Sequence, residues 1–100
     1  MLGIVREKAY HKYFLRVFSK EYAFIKWVPK ALSVIHGHNG KRCNFVILNG
    51  SLNEKIFHKN SAVRLRTHQA LTLGYIDDTI GSHQMINTDN KSKYSVHYYH

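Results

Sequence analysis

The chain has 100 residues, and its 15 lysine and arginine side chains against 6 aspartate and glutamate give a formal net charge of +9. This length suits one small domain, and such a charge is typical of proteins that bind a polyanion. No apolar run approaches the ~20 residues that a membrane-spanning helix needs, so we predict no membrane partner. The single cysteine, Cys43, excludes an intramolecular disulfide and favours a reducing compartment.

The segment from Val5 to Phe24 combines an apolar stripe with a basic stripe. Its apolar residues recur at steps of three and four, and its basic residues repeat every four along another face. This pattern predicts one amphipathic helix or two short ones, whose basic face is either solvated or turned to phosphate. The apolar stripe is Tyr10, Phe14, Val17, Phe18 and Tyr22, and the basic stripe is Lys8, Lys12, Arg16 and Lys20.

A tight turn at Asn39-Gly40 is predicted between two strand-like runs, 32–35 and 45–48. Asn-Gly between apolar runs favours a hairpin, because both residues accept the positive φ of a type I′ turn. Pro29 cannot lie inside a helix and therefore marks the joint between the helix and this hairpin. The turn carries Lys41 and Arg42 with no carboxylate between residues 22 and 53, which predicts a phosphate-binding tip.

After the hairpin, Glu54 to Lys59 is predicted to form a helical turn, and 62–66 to form a strand with an open basic face. Residues 1–66 carry 13 basic and 3 acidic side chains, whereas residues 67–100 carry 2 and 3. We therefore predict a basic RNA-binding domain over 1–66, with its core at 27–67, and a weakly charged C-terminal extension over 67–100. The extension is either disordered or docks on a protein through Tyr94 to Tyr99. The predicted fold class is α+β, with an N-terminal helix or helices followed by a small antiparallel sheet.

The central stretch resembles the S-nineteen family of small-subunit ribosomal proteins, of bacterial or organellar type. The resemblance covers about 40 residues and depends on the order and spacing of its motifs. These motifs are Trp27-Val28-Pro29, His38-Asn39-Gly40-Lys41, Phe45 to Leu48, His58-Lys59, and Arg66-Thr67 in inverted order.

This resemblance implies a structural constituent of the head of the small ribosomal subunit that supports translation and has no catalytic role. The implied partners are ribosomal RNA and a neighbouring S-thirteen-like head protein, with tRNA close by. A residue bias typical of AT-rich codons favours a mitochondrial ribosome over another organellar or cytoplasmic one. The residues expected to bind RNA are Lys30, His38, Asn39, Lys41, Arg42, His58, Lys59, Arg64 and Arg66.

Other functions are open to the same residues. His36 and His38 share a face of the predicted strand and could hold zinc with a further ligand, either Cys43 or His58. The paired ligands that are typical of a structural zinc site are missing. We therefore predict neither a metal nor another cofactor. His38-Asn39 beside His58 is also compatible with a His-Asn-His metal nuclease. That enzyme needs more carboxylates than Glu54 supplies in the basic region, and we predict no catalytic residues. Another RNA-binding protein or a protein-interaction module is the remaining alternative, and ribonuclease treatment during purification distinguishes the two.

Overall fold

The described part of the chain folds mainly into β-strands. The computed structural model describes residues 1–33, 37 and 40–100, and these residues form nine strands and no helix. The strands are β1 Leu2–Arg6, β2 Tyr10–Val17, β3 Lys20–Trp27, β4 Cys43–Ile47, β5 Ser51–His58, β6 Val63–Gln69, β7 Leu73–Ile76, β8 Gly81–Ile86 and β9 Lys93–Tyr99.

The strands form two sheets whose neighbours pair in antiparallel fashion. The six-stranded sheet has the order β1-β2-β3-β9-β4-β7, and the three-stranded sheet has the order β6-β5-β8. Strand β9 therefore lies between β3 and β4, although it follows them by more than 40 residues in the sequence. This crossing of the chain brings distant residues to one place in the interior.

The core lies between the two sheets, because alternate residues of facing strands point inward. On β3 the buried positions are 21, 23, 25 and 27, and on β4 they are 43, 45 and 47. The second sheet contributes Leu52, Ile56 and Met85 to the same hydrophobic cluster. One face of each sheet is thus removed from water, as in a two-layer β fold.

The predicted N-terminal helix is wrong, since residues 2–27 form three antiparallel strands instead. A spacing of four is a multiple of the strand period of two, so residues four apart share a face in a strand as well as in a helix. Lys12 and Arg16 illustrate this, because they lie on the same side of β2 and both reach Glu21. In β3 buried and exposed residues alternate with a period of two, which indicates a strand.

The rest of the predicted α+β fold also needs correction. Strand β4 pairs with β7 and β9, and Leu32 forms an isolated bridge with Ile86. Residues 34–36, 38 and 39, on which the predicted hairpin depends, lie outside the described residues. The predicted helical turn at 54–59 belongs to strand β5, whereas the strand predicted at 62–66 coincides with most of β6. Residues 67–100 are no extension, since they contribute β7, β8 and the central β9.

Within the described ranges, no helical segment has the length and apolar character that a bilayer crossing demands.

Candidate active site between the two sheets

Polar side chains occupy many of the inward positions of the strands. Glu54 of β5, His83 of β8, and Ser95 and His97 of β9 are buried between the sheets, together with Cys43 of β4. Burying a polar group costs free energy unless it is hydrogen-bonded, so such a concentration points to a function. We call Cys43, Glu54, His68, His83, Ser95 and His97 the interior polar cluster.

Glu54 is the anchor of one half of this cluster, and its side chain is 0% exposed. One carboxylate oxygen accepts hydrogen bonds from Arg66 Nη2 at 2.7 Å and His68 Nε2 at 2.8 Å. The other oxygen accepts a hydrogen bond from His83 Nδ1 at 2.6 Å. Because an ionised carboxylate only accepts, each imidazole donates its N–H here.

The electrostatics keep Glu54 ionised. Burial by itself raises the pKa of a carboxyl group, but hydrogen bonds from His68 and His83 and the neighbouring Arg66 bring the pKa of Glu54 well below its usual range. A permanent negative charge beside His83 Nδ1 places the lone pair of a neutral His83 ring on Nε2. This is the arrangement that metal-ligating histidines almost always show.

The other half of the cluster is a chain of contacts along β9. Trp27 Nε1 donates to Ser95 Oγ at 2.9 Å, and Ser95 Oγ lies 2.7 Å from His97 Nε2. The opposite ring nitrogen, His97 Nδ1, lies 3.7 Å from Cys43 Sγ. His97 is therefore held in place through both of its nitrogens.

Phe45 joins the two halves, because its ring stacks on His97 at 5.3 Å and meets the edge of His68 at 4.8 Å. The cluster is thus one continuous region and not two separate sites.

Cys43 and Tyr99 are hydrogen-bonded to each other at the edge of this region. Burial raises the pKa of the Cys43 thiol to about 12, so the thiol is neutral at physiological pH. Burial, together with the neighbouring Cys43, likewise raises the pKa of Tyr99 well above its ordinary value. Both groups therefore keep their protons, and neither adds a negative charge to the site.

Two cations, Lys12 and Arg16, pair with the buried Glu21, and Lys12 also lies beside Tyr99. Lys12 Nζ is 4.9 Å from the centre of the Tyr99 ring and 2.7 Å from Glu21 Oε2. Arg16 Nη2 is 2.7 Å from Glu21 Oε1. Burial works against ionisation of Glu21, but hydrogen bonds from Lys12 and Arg16 lower its pKa overall. The site thus has both signs of charge at its rim.

Most of the residues predicted to bind RNA lie on the surface. Lys30 and Lys41 each donate to a backbone carbonyl through Nζ, and Arg42 is exposed just before β4. His38 and Asn39 lie outside the described residues. Lys30 and Lys41 are therefore engaged within the chain itself.

The remaining predicted residues belong to the second sheet and its loop. His58 closes β5 with a buried Nε2 that has no hydrogen bond to the described residues, and Lys59 is exposed in the following turn. Arg64 is exposed on β6, whereas Arg66 turns to the buried Glu54. The structure thus uses Arg66 to pair with Glu54 of the interior polar cluster.

Comparison with known families then decides the classification. The family model for cysteine dioxygenase type I matches residues 18–100 of the chain. The chain belongs to the cysteine dioxygenase type I family. A search of curated proteins found no match.

Solved structures share the fold of this cysteine dioxygenase family member at low sequence identity. An oxalate oxidase aligns with a TM-score of 0.81 and 15% identity, over 94% of this chain and 52% of that one. An oxalate decarboxylase from Lactobacillus farciminis aligns with a TM-score of 0.84 and 17% identity, over 98% and 30% of the two chains. A deletion mutant of the Bacillus subtilis oxalate decarboxylase aligns with a TM-score of 0.84 and 15% identity, over 96% of this chain and 27% of that one. The chain thus spans about half of the oxidase and under a third of the decarboxylases, and the likeness shows a cupin-like β fold.

These findings correct the predicted function. The identification as an S-nineteen ribosomal protein is wrong, and so are the predicted non-enzymatic role in translation and the predicted ribosomal RNA and head-protein partners. The motifs that carried that resemblance are short, and no described ribbon supports the predicted RNA-binding tip. The mitochondrial location stays a prediction.

Sequence reasoning noticed His36, His38, Cys43 and Glu54 but missed His83, Ser95 and His97. The signal for the missed residues is that polar residues stand at every second position among apolar ones, as in Leu52-x-Glu54-x-Ile56 and His83-x-Met85. In a half-buried strand, such polar residues lie on the core face. That face cannot be identified without knowing which strands pair.

Proposed function

We propose that this chain forms the catalytic β-domain of a thiol dioxygenase that acts on cysteine. Membership of the cysteine dioxygenase type I family over residues 18–100 supports the reaction class. In this reaction both atoms of O₂ become bonded to the thiol sulfur, and the thiol proton is retained on the sulfinic acid product. Sulfur loses four electrons and dioxygen gains four, so no further reductant is required.

The single structural observation that carries the proposal is the buried pair of His83 and Glu54, 2.6 Å apart. A carboxylate on one ring nitrogen fixes the tautomer and orientation of a metal-ligating histidine and raises its basicity. His83 therefore fits a metal ligand, and we propose as further imidazole ligands His36 and His38, which alternate in the sequence and lie outside the described residues. This assignment departs from the expectation of no metal site. When bound, a redox-active ion of the iron type would supply the one-electron chemistry that dioxygen requires.

The protein's own residues suit a small amino-acid substrate. Lys12 and Arg16 provide positive charge for an α-carboxylate, and Glu21 provides negative charge for an α-ammonium group. Cys43 and Tyr99 are neutral, so they do not repel a substrate thiolate. His97, fixed between Ser95 and Cys43, is placed to hold or move a proton within the cluster.

The test separates metal binding from catalysis. The chain is loaded with ferrous iron without oxygen, and bound iron is measured after excess metal is removed. Cysteine and ¹⁸O₂ are then added, and the product is analysed by mass spectrometry. We expect one iron per chain and cysteine sulfinic acid that carries two labelled oxygen atoms.

The matched variants are His83→Ala and His11→Ala, because His11 lies on β2 at a position that faces away from the core. His83→Ala should lose iron and sulfinate together, while His11→Ala should keep both. Iron binding with no labelled sulfinate, or with only one labelled oxygen atom, would contradict the proposed reaction. Oxalate serves as the comparison substrate and should not be consumed.

A further inference from the structure

A largely apolar band crosses the outer face of the six-stranded sheet from one edge strand to the other. Cα partners in adjacent strands carry their side chains on the same face, so the strand registers define rows across the sheet. One row is Ile4, Tyr13, Phe24, Val96, Val46 and Leu73, and the next is Leu2, Leu15, Tyr22, Tyr98, Asn44 and Tyr75. We call these two rows the apolar band.

The apolar band is open to solvent and large. Eight of its hydrophobic side chains are between 39% and 79% exposed. With ~200 Å² for a large side chain, half exposure of eight of them presents roughly 800 Å². That is the area of about 800 Å² that each partner buries in a standard protein interface. The band also borders a shallow groove of about 1110 Å³.

We propose that the apolar band is the interface of a homodimer, with a second copy of this chain packed face to face on it. An antiparallel sheet exposed on one side normally alternates apolar inward and polar outward residues. Here the outer face carries an apolar band in addition to the buried apolar residues of the inner face, and contiguous apolar patches of this size mark interaction sites. Another sheet face is the natural cover for a wide band, because sheets pack face to face at about 10 Å.

The register makes the apolar band complementary to itself. A two-fold axis that runs along the strands between β3 and β9 exchanges β1 with β7, β2 with β4, and β3 with β9. Phe24 of one copy then lies over Val96 of the other, and Tyr13 lies over Val46. In this row large aromatic residues face small ones, so that the two layers interdigitate, while in the next row Tyr22 of one copy lies over Tyr98 of the other.

The charges beside the band select the same axis. Lys26 and Lys20 of β3 flank the band at its two ends. A two-fold axis across the strands would set Lys26 of one copy over Lys20 of the other, which is repulsive. The axis along the strands sets Lys26 over Tyr94 instead.

A charge exchange at Ile4 and Leu73 tests the proposal. Both side chains are exposed, at 58% and 71%, and the axis places residue 4 of one copy over residue 73 of the other. Ile4→Lys and Leu73→Glu should each raise the dimer dissociation constant at least ~10-fold, because each buries an unpaired charge. The chain with both substitutions, and an equal mixture of the two single variants, should dimerise again. Sedimentation equilibrium measures all of these species.

The control is Leu65→Lys, on β6 of the other sheet, where the side chain is 70% exposed and dimerisation should be unchanged. Dimerisation of the wild type should also strengthen as sodium chloride is raised, because salt screens the repulsion between two chains of charge +9. A wild type that stays monomeric would overturn the proposal, as would failure of the double variant to recover. Co-sedimentation of monomers with phosphatidylserine vesicles, weakened by salt, would assign the band to a membrane instead.

Discussion

Glu54 shows how one buried residue can organise a site. Its carboxylate joins Arg66, His68 and His83, so strands β5, β6 and β8 are tied together by charged hydrogen bonds. Removing the carboxylate charge of such a network takes from the buried His68 and His83 the charged acceptor of their N–H groups.

We therefore expect Glu54→Gln to lower the free energy of unfolding by roughly 3–5 kcal/mol. An amide carries no charge and presents an NH₂ group to donors that already point at it. Urea denaturation measures the loss, and Glu7→Gln, at an exposed position, should change the free energy by less than ~0.5 kcal/mol. Under the proposed function, Glu54→Gln should also weaken metal binding by about 10–100-fold. Equal stability of Glu54→Gln and Glu7→Gln would show that the network contributes nothing.

The same carboxylate predicts how stability depends on pH. The pKa of Glu54 is lower in the folded chain than in the unfolded one, and the pKa of Asp77 is lowered to about 2 by Thr79 and Tyr75. A carboxyl group whose pKa is lower in the folded chain contributes its full stabilisation at pH values above its unfolded pKa, which is about 4 for these groups. This stabilisation is lost as the pH falls through the pKa of the folded chain. The melting temperature should be level near neutral pH and fall below about pH 4.5. The melting temperature of Glu54→Gln should fall less steeply with decreasing pH than that of the wild type. Equal slopes for the two chains would mean that other groups cause the acid sensitivity.

At the scale of elements, sequence reasoning found some strands and missed others for a physical reason. Residues 45–47 and 63–66 were predicted as strands and lie in β4 and β6, because β-branched and aromatic residues dominate or alternate there. The sequence places β9 in a weakly charged extension that is disordered or docks through Tyr94 to Tyr99, since Lys93, Ser95 and His97 occupy its inward positions. Polar residues on a core face weaken the hydrophobic pattern on which strand prediction depends. The candidate site was hidden for the same reason, because only the position of β9 between β3 and β4 brings His97 beside Phe45.

The start of β8 depends on a glycine. Gly81 has a φ of +151°, and a Cβ atom there would lie 2.1 Å from the Phe57 carbonyl oxygen of β5. We expect Gly81→Ala to lose about 1–3 kcal/mol from backbone strain and more from this contact with backbone atoms. Gly40→Ala is the matched control, since Gly40 has a φ of +79° and nothing within 4 Å of its Cβ position. Thermal melts should show the larger loss for Gly81→Ala, and equal losses would mean that the contact relaxes without cost.

At the scale of the whole molecule, the net positive charge lowers the stability of the folded state. The net charge is +9, and two of the six carboxylates, Glu21 and Glu54, are buried in ion pairs. The exposed surface is therefore strongly basic, and its self-repulsion destabilises the compact state.

We expect the melting temperature to rise as sodium chloride is increased from low to physiological concentration. Screening acts on exposed charges and much less on the buried pairs of Glu21 and Glu54. Calorimetry in sodium chloride, with an uncharged osmolyte as the control, measures the effect. A melting temperature that falls with salt would indicate that surface ion pairs contribute more than the repulsion removes.

The central place of β9 has a consequence for how the protein is made. During synthesis, residues 1–92 emerge before β9, the strand that lies between β3 and β4. Until β9 is made, β3 and β4 each have an unpaired edge. Open strand edges pair readily with other chains, and contacts between distant residues form slowly. The two halves of the six-stranded sheet, and with them Ser95 and His97 of the site, come together only when residues 93–99 are available. A ribosome that stalls shortly before residue 93 would therefore release a chain whose site lacks Ser95 and His97. This chain would contain nearly all of the apolar residues of the full chain and would expose two unpaired strand edges that can bind other chains.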